Sequence, residues 1–423
     1  MKKRLLLIIL ISIALNLGGL SFQIDDLIQH ARNILITDKV TEDSPPSNND
    51  TTTPPLPTKP NYVDITIASV GDILIHNTVY MAASNPQTNS YDFSSQFKYV
   101  KPYLEDADIT IANLETTLAG QDRGYSGYPE FNTPDSIMDA LKDAGVDIVT
   151  AANNHRMDKG ISGFYRTIEV SREKGLDIIG VKAKEEEKTY VLKDIKGVKV
   201  AFLNFGYSGS LADGSLSING LILPKDMANL MDGFDPEDLD STVEMMGNKI
   251  KEARSAGAQV IVVCLHWGNE YHRSPNPFQQ ELAEKLVELG VDMIFGGHPH
   301  VLQPAVYLPS SYGGGGAVPV FYSQGNFISD QRKETVDDIY TEQGIIAKVT
   351  IRVYCDDCPR ILDAEAIPTW VNKKRINNRL VYEVIPVDEA LANNEKFPLL
   401  TKEDMERIKY CQDTVKHLSV DLE

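Results

Sequence analysis

Only eight histidines occur in 423 residues, yet two of them, His298 and His300, stand two apart in the stretch GGHPH, straight after the apolar run VDMIF. Four other apolar runs end in the same manner, with polar side chains at the exit. SVGD presents Asp72, and IANLE presents Asn113 and Glu115. TAANNH presents Asn154 and His155, and CLHWGNE presents His266 and Glu270. Carboxylates, an amide and imidazoles without a thiolate form a ligand set suited to Zn, Mn or Fe. A pair of such ions about 3.5–4 Å apart binds an anionic group and activates a water. Glycines before His298 allow close backbone approach, and the two-residue spacing lets both rings face one point from a loop. A further run ends in SQGNF, where Asn326 is expected to reach substrate beside Asn113 and Glu270.

Each residue taken alone has a plainer reading. An Asp after Gly is commonly a turn or cap residue. His266 suits a satisfied core histidine, and Glu270 a solvated loop charge. Asp158 is read as the cap of a helix starting near Gly160. It is the combination that points to a site.

Residues so far apart converge only if the elements bring them together, and in layered α/β folds the carboxyl ends of strands meet at one edge. From Tyr62 onward the texture fits. VDITIASVGDILI, ADITIANLE, VDIVTAANNH, LDIIGV, AQVIVVCLHWG and VDMIFGGHPH read as strands. PDSIMDALKDAG, with a Pro start and a Gly stop, reads as a helix. So do GISGFYRTIEVSREKG, PEDLDSTVEMMGNKIKEARSAG and NPFQQELAEKLVELG. TYVLKDIKGVKVAFLNF predicts a hairpin turning at Lys196-Gly197. Strands dominate thereafter, and the pattern predicts α/β layers with mixed sheets. One large domain is expected over 62–390 and a helical tail over 391–423, packed on the domain or projecting from it.

The N-terminus places Lys2, Lys3 and Arg4 before an apolar run, as an export signal does. Residues 1–22 are read as a signal anchor or a cleaved signal peptide, with the bulk of the chain outside the cytoplasm. That puts the chain at the cell membrane as a single-pass protein, or makes it secreted if the signal is cleaved. Residues 23–61 read as a Pro/Thr/Ser-rich tether. The net charge of −19 excludes a general nucleic-acid binder. It also makes a long polyanion an awkward partner unless a metal or a local basic groove compensates. The segment WVNKKRINNR is locally positive, either as a solvated hairpin or as a polyanion contact. No P-loop is found, which argues against an ATP-dependent ligase. Of four cysteines, Cys264 reads as core, Cys411 is left over, and Cys355 and Cys358 form either a disulfide or a pair of thiols.

The motifs SVGDILIH, IANLETTL, AANNHRMDKG, LHWGNEY, GGHPHVLQP and SQGNF, in this order, resemble those of the CapA family of poly-γ-glutamate capsule synthesis proteins. The resemblance covers roughly residues 64–330. That family is in turn similar to the calcineurin-like metallophosphoesterases. The similarity implies a four-layer fold of two mixed β-sheets packed face to face and flanked by helices. It also implies a divalent metal centre, dinuclear in the related enzymes. By position, Asp72 stands at the first metal-binding Asp, and Glu115 near the bridging carboxylate. Asn154, His266, His298 and His300 stand at the remaining ligands, with His155 as general acid. The last two histidines would then reach two different metals from one loop. This chain departs from the motif at Leu74, where the related enzymes have a His, and His76 follows two residues later. It also has Glu115 for an Asp and Asn153 for a Gly. The resemblance implies a role in making or exporting poly-γ-glutamate or a related anionic polymer, beside membrane-bound synthesis subunits. A metal-dependent hydrolase of phosphoesters or γ-glutamyl amides, and a non-catalytic polymer-binding module, are the alternatives.

Overall fold

The expected strand runs assemble into two sheets. The computed structural model describes residues 62–210, 215–312, 316–354 and 359–418. The export segment expected at 1–22, the tether at 23–61, and Cys355 and Cys358 lie outside the described residues. In chain order the strands of these two sheets are β1 (Tyr62–Ile73), β2 (Ile109–Leu114), β3 (Ile148–Thr150), β4 (Asp177–Ile179), β5 (Val191–Ile195), β6 (Val198–Tyr207), β7 (Gly233–Phe234) and β8 (Val260–His266). They continue as β9 (Met293–Gly297), β10 (Ala305–Ser310), β11 (Gly316–Phe321), β12 (Asn326–Ile328), β13 (Gln343–Tyr354), β14 (Arg360–Ile376) and β15 (Arg379–Pro386). The principal helices are α1 (Asn77–Ala83), α2 (Ser136–Asp143), α3 (Gly160–Glu173), α4 (Leu239–Ser255), α5 (Pro277–Glu288), α6 (Val387–Ala392) and α7 (Lys402–Leu418).

The first sheet has the order β15-β14-β13-β1-β2-β3-β4, with β12 beside β1. β1 to β4 and β12 run parallel, while β13 to β15 are antiparallel. The second has the order β7-β6-β8-β9-β11-β10, with β5 folded back on β6. Its central strands β6, β8, β9 and β11 are parallel. Both sheets are therefore mixed, as the pattern of runs predicts. The turn between β5 and β6 falls at Lys196-Gly197, both left-handed at φ 54° and 88°, the backbone a tight hairpin wants.

The layers follow from which residues each strand buries. β8, VIVVCLH, is buried along its whole length, as expected of a parallel strand covered on both faces. One core lies between the sheets, where Ile67, Ile111 and Ile148 of the first meet Val200, Val262 and Phe295 of the second. Cys264 is part of it. The outer face of the first sheet packs on Ile137, Met138, Leu141, Phe164 and Ile168 from α2 and α3. The outer face of the second packs on Met246 and Ile250 of α4 and Leu282 and Leu286 of α5. α5 begins with a capping box in which Asn276 and Gln279 satisfy each other's backbone N–H groups. Helix, sheet, sheet and helix thus stack in four layers.

The C-terminal helix α7 packs on the domain rather than projecting. Ile408 and Cys411 join Trp370, Ile385 and Phe397 in a smaller core. The helix is pinned by Glu342, a fully buried carboxylate. Arg407 Nη1 donates to it at 2.8 Å, Trp370 Nε1 at 3.1 Å and the Lys333 N–H at 3.1 Å. Removing one member of a buried ion pair strands the other. Glu342→Ala is therefore expected to lower the unfolding free energy by about 3 kcal/mol or more, measured by urea denaturation. A change within 0.5 kcal/mol or so of zero, the usual range for surface substitutions, would refute the pin. The basic segment 370–379 is indeed a hairpin, turning at the left-handed Asn377 and Asn378. Its lysines are engaged: Lys373 with Asp330 at 2.6 Å, and Lys374 with Asp404.

Candidate metal centre

The parallel strands of both sheets end at one edge, and the polar exits meet there. β1 delivers Asp72, and β2 delivers Asn113 and Glu115. The turn after β3 delivers Asn153, Asn154 and His155, while β8 ends in His266 and β9 leads into His298 and His300. The approach is close. A Cβ on Gly297 would lie 2.6 Å from Asp72 Oδ1, so only glycine admits the carboxylate there. His298 and His300 both adopt left-handed backbone, at φ 95° and 57°. Such conformations cost on the order of 1–3 kcal/mol each and persist where the surroundings enforce them. Here the His298 N–H donates to Asp72 Oδ2 at 3.2 Å, and His300 Nδ1 lies 3.0 Å from the same oxygen.

Three overlapping triads place their ligand atoms within 4.8 Å of one another: Asp72, Glu115 and His300; Glu115, His266 and His298; and Glu270, His298 and His300. Glu115, His298 and His300 each belong to two of them. Glu115 Oε1 lies 3.5 Å from His266 Nε2 and 3.8 Å from His300 Nε2. Asn154 Oδ1 is 2.8 Å from His266 Nε2. All of these residues are buried except Glu270, which stands exposed at the rim.

The donor set fits a divalent cation. Glu115 Oε1 and His298 Nδ1 are buried with no hydrogen-bond partner, although each lies among potential ligands. Burial, reinforced by the nearby Asp72 and Glu270, pushes the Glu115 carboxyl well above its ordinary range. Burial likewise holds His266 and His298 well below theirs, with the neighbouring histidines adding to it. Neutral imidazoles are the form that ligates a metal. A cation would relieve the crowded carboxylates and satisfy the orphaned atoms together.

Around this cluster the structure sorts the remaining residues. Asn113 sits inside it: its Nδ2 donates to Asp72 Oδ1 at 2.7 Å, and its Oδ1 accepts from Thr150 and Asn153. Its amide therefore braces the ligands. Asn326 is fully buried, paired in register with Asp72. Its Nδ2 donates to Gln331 Oε1 and Thr341 O at 3.0 Å and to His300 O at 3.3 Å. Through Nδ2 it supports the His300 loop from behind, while its buried Oδ1 has no hydrogen-bond partner. Leu74 is a core residue. His76 turns aside, accepting the Asp330 N–H at 3.2 Å and packing edge-on against Phe131. Burial pushes its imidazole down to about 4.

The expectation that Asp158 caps a helix is corrected by the structure. The residue preceding α3 is Lys159, and no side chain caps that helix. Asp158 Oδ2 instead lies 2.8 Å from His155 Nδ1 and accepts the Phe131 N–H at 2.7 Å. The Phe131 ring stands edge-on to His155 at 4.7 Å. Burial raises the Asp158 carboxyl against the pull of His155. Asp158 and Phe131 together fix the orientation of the His155 ring, with Nδ1 held by the carboxylate. The three-residue spacing in HRMD was the available signal, but it looks the same as a cap. Asn153, where the related enzymes have Gly, ties this turn down by donating to Leu114 O at 2.8 Å and accepting the His155 N–H at 3.2 Å. Tyr207, at the end of β6, packs its ring 4.8 Å from His298 and was not anticipated either.

Residues 66–331 match the family described as bacterial capsule synthesis protein PGA_cap. The capsule biosynthesis protein CapA of Bacillus anthracis is 31% identical over 279 residues, 63% of this chain and 60% of that protein. The PGA biosynthesis protein CapA of Bacillus subtilis (strain 168) is 30% identical over 273 residues, 63% of this chain and 64% of that protein. The chain thus spans somewhat under two thirds of the curated relatives it matches. A solved calcineurin-like phosphoesterase, YfkN from Bacillus subtilis, is similar at a TM-score of 0.38 and 16% identity, over 84% of this chain and 99% of that one. That score is too low to add to what the two sheets show by themselves. All the motif residues of the cluster fall inside the matched span, and the chain belongs to the bacterial capsule synthesis protein family PGA_cap.

Proposed function

We propose that this chain is a membrane-anchored, extracytoplasmic component of poly-γ-glutamate capsule synthesis or export, and that it handles the polymer at a divalent metal centre. The observation that carries the reading is the meeting of Asp72, Glu115, Asn154, His266, His298 and His300 at one sheet edge within the family span. The name of the Bacillus subtilis relative supplies the polymer, PGA, and that of the Bacillus anthracis relative the capsule. The basic and apolar N-terminus supplies the anchor, although among the described residues no helix is long and apolar enough to cross a membrane. Bound cations would offer carboxylate-binding positions to a polymer that the net charge of −19 otherwise repels.

A second reading, hydrolysis of a γ-glutamyl amide or a phosphoester, is favoured by the His155–Asp158 pair. When bound, a metal supplies Lewis-acid polarisation and an activated water. Asn113 and Asn326 hold Asp72 and the His300 loop in place, Asp158 orients His155, and His155 Nε2 delivers a proton to the leaving group.

The test uses the purified full-length chain. Poly-γ-glutamate should bind in the presence of Mn or Zn and be released by a chelator, as read by co-sedimentation. Shortening of the polymer on light scattering would add the hydrolytic reading. Binding that ignores chelation would overturn the metal-centred account.

A further inference from the structure

Two exposed tyrosines stand on separate loops, one packed through Phe131 against His155 and the other against His300. Tyr128 sits at the tip of the loop 124–133 and is 72% exposed. The loop beneath it is firmly built. Ser126 and Asn132 bridge it, and Ser126 Oγ donates to Glu130 O at 2.6 Å. Gly127 N–H donates to Asn77 Oδ1 at 2.6 Å, and Tyr125 packs on Tyr91 at 5.2 Å. Through Phe131 the loop is fastened to the His155–Asp158 pair. A large ring held in water on a rigid support keeps its entropy cost of binding low.

Tyr271 is 41% exposed, with its ring 6.1 Å from that of His300. Its backbone is left-handed at φ 64°, held by its N–H donating to Pro299 O at 2.8 Å. Its hydroxyl accepts from Gln331 Nε2 at 3.1 Å, so its own proton is left to donate. Three basic side chains among the described residues have neighbours of their own. Lys159 faces Glu130 at 3.3 Å, Lys373 faces Asp330, and Arg273 lies over the Tyr340 ring at 3.7 Å.

Resting on the polymer reading above, we propose that Tyr128 and Tyr271 recognise the γ-glutamyl repeat, their rings stacking on its planar amides and their hydroxyls donating to its carboxylates. Neutral donors of this kind let an acidic protein select a polyamide without a basic groove. They also distinguish it from a polycarboxylate that lacks amides.

The experiment compares binding of poly-γ-glutamate and of polyacrylate by the metal-loaded full-length chain and by Tyr128→Ala, Tyr128→Phe and Tyr312→Ala variants. Tyr312 is an exposed tyrosine at the opposite end of the sheets, against Gly290 and Arg254. The unaltered chain should prefer poly-γ-glutamate. Tyr128→Ala should weaken that binding about tenfold, as loss of an aromatic anchor does, and erase the preference. Tyr128→Phe should fall between, keeping the ring and losing the hydroxyl, and Tyr312→Ala should match the parent. Metal content and melting temperature, measured alongside, separate recognition from damage to the fold. Unchanged affinity in Tyr128→Ala would overturn this inference alone. Failure of the unaltered chain to bind poly-γ-glutamate at all would overturn the polymer reading and this inference with it.

Discussion

The double variant His298→Ala/His300→Ala is expected to lose its divalent metal, falling from stoichiometric content in the parent to background by elemental analysis. The reason lies in the overlap of the ligand groups. Every one of the three triads contains His298 or His300, so no complete triad survives the loss of both. Changes that only disturb the support of a ligand cost about 10–100-fold in metal affinity, and removing two ligands outright should exceed that. The left-handed backbone at both positions makes alanine a strained replacement. A companion His298→Asn/His300→Asn variant, using a residue that tolerates such backbone, keeps the test clear of misfolding. Metal retained at the parent level in both variants, or none in the parent, would refute the centre.

The second large effect concerns His155. If the chain turns over a γ-glutamyl or phosphoester substrate, His155→Ala should lower the turnover number by about 10²–10⁴-fold, the usual contribution of a general acid. Metal content should stay near normal, because His155 is in none of the triads. Asp158→Asn should move turnover in the same direction, since His155 Nδ1 loses the carboxylate 2.8 Å away that fixes its ring. Turnover unaffected by His155→Ala would remove it from the chemistry. A parallel fall in metal content would make it a ligand instead.

The five strand exits were legible because the signal is local: an apolar run buries itself, and the polar residue that follows marks its end. The layering followed from the same runs. What escaped notice depends on pairing between distant segments. Asn326 looked like a residue facing a cleft, because nothing near it reveals that β12 lies beside β1 with Asn326 opposite Asp72. Asp158 looked like a helix cap because a cap and a histidine partner have the same short-range spacing. Only the packing of Phe131 from another loop decides between them. Tyr128 and Tyr271 carried no signal at all, since an exposed aromatic gains meaning only from what stands next to it. The docking of α7 was open for the same reason: the buried partner of Arg407, Glu342, belongs to another part of the chain.

The cluster also joins the two halves of the fold. Asp72, Glu115 and Asn154 hang from the first sheet, whereas His266, His298 and His300 hang from the second. An ion gripped by both sets would act as a rivet through the sandwich. It would be loaded only after the sheets have docked, and would be released before they part. At a free concentration one hundred times its dissociation constant it would add roughly 2.7 kcal/mol to the stability of the closed form. Melting temperature should accordingly rise with metal concentration, and a chelator should loosen the seam between the sheets before it disturbs either outer helical layer.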